Sequence, residues 1–102
     1  MTSTFAQIGG ARIGFINATW PFARLSATPE AIALRCLIFK FTFPRDSITR
    51  LSRYSGFSSS GLQIEHKVAR YPAFMLFWTF SFDTLKAELE ALGYTVRDSH
   101  AP

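Results

Sequence analysis

The chain reads as a mainly β domain: a seven-stranded antiparallel bent sheet, or partly open barrel, with one C-terminal capping α-helix. Three observations predict it. Seven short runs with strand-like patterning are divided by Pro, Gly and Ser breaks. One amphipathic segment with helix start and stop signals follows them. A length of 102 residues, 48% hydrophobic and 18% charged, suits one compact domain and excludes a disordered chain.

Residues 1–11 (MTSTFAQIGGA) are small and polar and read as a loose N-terminal arm, leaving 12–94 as the domain and 95–102 as a tail. The first strand is Arg12 to Thr19, with Ile13 and Phe15 on one face and Gly14 and Ile16 on the other. Trp20-Pro21 ends it, because Pro cannot donate to a ladder. In the second run, Phe22 to Ala27, Ala23, Leu25 and Ala27 oppose Phe22, Arg24 and Ser26. Thr28-Pro29-Glu30 is a turn, and the third run places Ile32, Leu34 and Cys36 opposite Arg35.

Leu37 to Phe43 is the fourth run, with Phe39, Phe41 and Phe43 forming a core wall, and Pro44-Arg45-Asp46 stops it. The fifth, Ile48 to Tyr54, has Ile48 and Leu51 out of phase, which predicts a bulge or an edge position. Ser55 to Gly61 is a flexible loop, and Leu62, Ile64 and His66 then alternate with Gln63, Glu65 and Lys67. The last run, Ala73 to Phe80, is apolar on both faces, so it is covered on both, by the helix or by another subunit. In the helix, Phe82, Leu85, Leu89 and Leu92 recur at 3-4-3 spacing behind an N-cap at Ser81, and Gly93 stops it with Tyr94 packing back on Leu89.

Seven strands and a closing helix, with the stretches RIGFINATWPFARL (Arg12 to Leu25), FPRDSI and GLQIEHK, resemble small bacterial pleckstrin-homology (PH)-like proteins. The resemblance spans about residues 12–94. It implies two near-orthogonal half-sheets plugged at one end by the helix, and a role as an adaptor or assembly module. Phosphoinositide-binding members resemble one another in a basic cluster at the first hairpin. Here that hairpin offers only Arg12 and Arg24, so no headgroup ligands carry over.

The chemistry-bearing residues form no catalytic constellation. Cys36 is alone and flanked by Leu34, Leu37 and Ile38, which makes it a buried thiol and points to a reducing cytoplasm. His66 reads as a core or rim histidine, and His100 sits in the tail. Two His and one Cys at these spacings make no metal site. Ser58, Ser59 and Ser60 lack the Lys and the helix start of a phosphate cradle. The reading is therefore a non-enzyme with no cofactor and no small-molecule substrate. No signal peptide or membrane-spanning segment is read, since the longest apolar stretch has twelve residues and includes Pro72.

Partners are read from what remains. Sixteen aromatics, eleven of them Phe, are a lot of bulk for so small a core: either the core is unusually aromatic or some rings meet another surface. Phe57, Tyr71, Phe74, Phe77 and Trp78 are the candidates for contact with a protein partner or a second copy. Residues 1–70 carry a balance of +6 and residues 71–102 one of −2. Arg12, Arg24, Arg50, Arg53 and Lys67 are accordingly the candidates for an alternative role, contact with an anionic membrane surface. Arg50, Arg53 and Tyr54 combine charge with an aromatic, but no RNA-binding signature accompanies them, which argues against nucleic acid.

Overall fold

The computed structural model describes residues 4–14, 16–55 and 60–97. The elements are β1 (Phe5–Ile13), β2 (Ile16–Thr28), β3 (Ala31–Cys36), β4 (Phe39–Pro44), β5 (Ile48–Ser55), β6 (Ser60–His66), β7 (Met75–Thr79), α1 (Phe82–Ala91) and β8 (Val96–Arg97). A 3-10 turn, Arg45–Ser47, joins β4 to β5. The strands form one mixed sheet in the order β4-β3-β2-β1-β7-β6-β5-β8, antiparallel except for β8, which runs parallel to β5. The sheet curls into a half-open barrel with no ladder joining β4 to β5.

The curl turns on β1. This strand pairs with β2 along its length, and from Gly10↔Trp78 to Ile13↔Met75 it pairs with β7 as well. Most of the segment expected to be a loose arm is therefore strand, and its glycines mark close approach. A Cβ on Gly9 would lie 2.1 Å from the Trp78 carbonyl oxygen, and one on Gly10 would lie 2.7 Å from that of Ala18. The expected first strand likewise spans a reversal, since Ile13 and Ile16 face each other across it.

Trp20-Pro21, a cis bond, does not end a strand. β2 runs on to Thr28, and its pairing jumps from Ala11↔Ala18 to Gly9↔Ala23. Residues 19–22 thus form a bulged excursion facing Gly10 alone, where the missing Pro21 N–H costs no ladder bond. In the next hairpin Leu37 (φ +57°) and Ile38 make the turn, so they do not belong to the fourth strand. Phe41 and Phe43 are buried as expected, but Phe39 stands beside that turn and is 42% exposed.

The alternation read along β2, β3 and β6 holds: Ala23, Leu25, Ala27, Ile32, Leu34, Cys36, Leu62 and Ile64 all join the core. β5 carries the expected bulge, its register slipping between Ile48 and Arg50. On β7, Met75 and Phe77 enter the core while Leu76, on the opposite face, is buried over Gly61. Only Ser55, Ser60 and Gly61 of the expected flexible loop are described, and all three are in strands.

α1 buries Phe82, Leu85 and Leu89, with Leu92 just beyond, in the same core. The Gly93 N–H donates to the Glu90 carbonyl and the Tyr94 N–H to that of Leu89, each at 3.0 Å, while Gly93 takes φ +97°. This is the paired-bond helix stop that Gly permits. Ser81 stands at the N-cap position but makes no side-chain cap bond; its backbone (φ −132°, ψ 56°) departs from the usual extended cap geometry. Of the expected tail, Val96–Arg97 pairs with β5 as β8, and residues 98–102 with His100 lie outside the described residues.

Arg45 fastens the helix end. Its guanidinium donates to the carbonyls of Pro29 (2.9 Å), Leu92 (3.3 Å) and Gly93, and lies 4.6 Å from the centre of the Tyr94 ring. The Tyr94 hydroxyl donates to the Thr28 carbonyl at 2.7 Å. Burial pushes the Tyr94 phenol up despite the neighbouring Arg45 charge, and Glu30 adds to the rise.

Candidate functional site

Sixteen aromatics on a sheet that curls once cannot all point inward, and the structure divides them. Tyr71 lies over the seam left open beside β4, 5.0 Å from Phe41 and 5.5 Å from Phe43 ring to ring. Its hydroxyl accepts the Thr42 N–H at 3.2 Å. His66 supports the same segment: Nδ1 accepts the Val68 N–H (3.0 Å) and Nε2 donates to the Pro72 carbonyl (2.9 Å). Both ring nitrogens are thus occupied by backbone at a half-buried position, which fits the core or rim histidine expected. Burial raises the pKa of Cys36, so its thiol stays protonated at neutral pH.

The five expected protein-contact residues do not form one surface. Phe77 has no exposed area and belongs to the core, because the alternation of β7 turns it inward; that candidate is corrected. Tyr71 is half-buried in the seam. Phe74 and Trp78 are half-buried and meet Tyr54 edge to face, at 6.4 and 5.8 Å. Phe57 lies outside the described residues.

Of the five basic candidates, Arg50 and Arg53 line one shallow pocket with Tyr54 and Glu65, and the other three do not line it. Arg50 pairs with Glu65 at 3.8 Å. Arg53 donates to the Ser60 hydroxyl and lies over the Phe82 ring. Arg12 faces Asn17 and Leu76, and Lys67 follows β6. No two of the five are partners across a ladder.

Arg24 has other company. Hairpin register sets Ile8 opposite Arg24, Arg24 opposite Arg35, and Arg35 opposite Lys40, one transverse row over β1 to β4. All four are exposed, on the face away from Leu25, Leu34 and Cys36. Among the described residues no carboxylate pairs with any of the three cations. Like charges set directly opposite on a sheet are destabilising. Beside Arg24 the face flattens into a shallow groove of about 420 Å³ over Ala6, Ser26 and Ala33.

Large apolar side chains stand exposed just beyond this row. Ile38, at the β3–β4 turn, is 91% exposed, with Leu37 and Phe39 beside it. The Leu37 N–H donates to the Phe22 carbonyl at 3.2 Å, joining the turn to the excursion of β2. Trp20, from the same excursion, meets the 75% exposed Phe80 edge to face at 6.5 Å. Single exposed hydrophobics are ordinary, but here Trp20, Phe22, Leu37, Ile38, Phe39 and Phe80 are all exposed and are linked by these two contacts. Sequence reasoning found Arg24 alone of this site. The turn pair Leu37-Ile38, apolar where polar residues are usual, was the signal available for the rest.

Among the described residues there is no His, Cys, Asp and Glu grouping able to hold a metal, and no helix long and apolar enough to cross a membrane. No protein-family model, curated protein or solved structure matches the chain.

Proposed function

We propose that this is a non-catalytic interaction module of the bacterial PH-like kind, at work in the cytoplasm, which docks through the apolar rim of Trp20, Phe22, Leu37, Ile38, Phe39 and Phe80. The order of elements, a meander of four strands, a meander of three and a closing helix, supports the kinship. One observation carries the docking role: the rim is apolar and exposed where a turn ordinarily carries Gly, Asn or Asp. This surface replaces the sheet aromatics first considered, because Phe77 and Tyr71 are committed to the core and the seam.

Fractionation of cells expressing the full chain tests the reading. The wild-type chain should travel with a larger particle or complex, and Trp20→Ser with Ile38→Ser should travel free. A wild-type chain that runs only as a free monomer defeats the docking role.

A further inference from the structure

We propose that the outer face of β1 to β4 seats an acidic amphipathic helix of a partner protein, lying across the strands with its carboxylates over Arg24, Arg35 and Lys40. The inference rests on the docking role proposed for the rim and names the chemistry of its partner.

Rows of side chains make up this face. Register places Ile8, Arg24, Arg35 and Lys40 in the middle row. Two residues along each strand, on the same side of the sheet, Ala6, Ser26, Ala33 and Thr42 form a row of small side chains. Two residues the other way along β2 stands Phe22, 60% exposed, with Leu37 beside it. Apolar bulk, charge and a flat groove therefore follow one another across the face.

Charge names the sign of the partner. Among the described residues no carboxylate pairs with the three cations. Like charges in direct opposition weaken the sheet that carries them, and a surface bearing carboxylates relieves that repulsion.

Spacing names its conformation. Neighbouring strands lie about 4.8 Å apart, so Arg24 and Lys40 stand roughly 10 Å apart across β3. Two turns of helix bring residues i and i+7 to one face at about 10.5 Å, with i+4 between them. An extended peptide repeats one face every ~6.6 Å and shows opposite faces at ~10 Å, so it meets the row out of phase. Same-face rows of the sheet are also about 6.6 Å apart, and a helix with its side chains is about 10–12 Å across. A helix laid along the cations thus reaches Phe22 and Leu37 on one flank. On the other, its bulky apolar side chains fit the groove over Ala6, Ser26 and Ala33.

A second copy of this chain supplies the charge but not the bulk. Its α1 shows Asp83 and Glu90 at the right separation, yet Glu90 is held by Lys86 at 3.9 Å. The exposed positions between them are Thr84, Ala87 and Glu88, none of which fills the groove.

Fluorescence anisotropy of the full chain with labelled probes decides the matter. The first probe is an alanine-based helix of about 18 residues with Glu at i, i+4 and i+7 and Leu on both flanks of that stripe. The others are the same peptide with Gln for each Glu, the same composition in scrambled order, and a single-stranded oligothymidylate. The chain should bind the Glu helix and bind each of the others at least about tenfold more weakly. Arg35→Gln with Lys40→Gln should weaken binding of the Glu helix about tenfold, near threefold per ion pair. Phe22→Ser should weaken it about tenfold. Ala33→Trp, which fills the groove and leaves the charge intact, should also weaken it about tenfold. Lys67→Gln with Arg97→Gln removes the same charge elsewhere and should change affinity less than about twofold.

Circular dichroism melts confirm that each variant folds. No binding of the Glu helix, equal losses in the two double variants, or an unaffected Ala33→Trp variant overturns the assignment. Preference for the oligothymidylate, lost with Arg35 and Lys40, makes the partner a nucleic acid and overturns it as well. So does dimerisation in light scattering that the Glu helix fails to compete away, which gives the row to a second copy. If the Glu helix does not bind while the rim variants still release the chain from its complex in cells, docking stands and only the helix is lost.

Discussion

The helix end and the hairpin end of the half-open barrel treat their polar and apolar groups in opposite ways. At the helix end, Arg45 answers carbonyls of Pro29, Leu92 and Gly93, Tyr94 ties back to Thr28, and Leu85 and Leu89 have no exposed area. At the hairpin end, Arg24, Arg35 and Lys40 face one another across the strands, and Ile38 meets solvent. Satisfied groups lower the energy of the fold; the repelling row and the bare turn do nothing for it. Stability is concentrated at the helix end, while the hairpin end leaves large apolar side chains exposed.

The contrast can be broken by substitution. Leu89→Asp buries a carboxylate at the centre of the sealed end, and should cost upwards of about 4 kcal/mol, leaving the chain unfolded by circular dichroism at 25 °C. Arg45→Ala removes the guanidinium from three carbonyls and from the Tyr94 face, and should cost about 2 kcal/mol in urea melts. Arg45→Lys should recover less than half of that, because an ammonium cannot reproduce the planar fork. At the hairpin end Ile38→Ser should move stability by no more than about 0.5 kcal/mol. A large loss there would show that the tip is structural, and the contrast would fail.

The helix was legible because its signals are local. The 3-4-3 spacing from Phe82 to Leu92 and the Gly93 stop require no knowledge of distant residues. Strands β3 and β6 were legible through alternation for the same reason. β1 was not, because β7 and the excursion of β2 approach Gly9 and Gly10 so closely that no side chain fits, and the missing side chains erase the alternation. The fourth strand was read two residues too long because Leu37 and Ile38 are apolar yet form a turn.

The site was still less legible. The surplus of aromatics leaves open whether rings are exposed at all, and which ones are depends on the face each strand turns inward. Phe77 went in, and Phe80 stayed out. The cation row is a product of register: residues 24, 35 and 40 become neighbours only when two hairpins set them opposite. Ladder register is long-range information, and a pass along the chain reads only its local part.

The Tyr71 hydroxyl on Thr42 and the proline at position 44 have one more consequence. A sheet margin with free donors and acceptors is a template on which further chains can add. With the Thr42 N–H taken and Pro44 having none, two of the positions at which a further strand could bond along this flank of β4 are closed, which hinders chain-to-chain addition there.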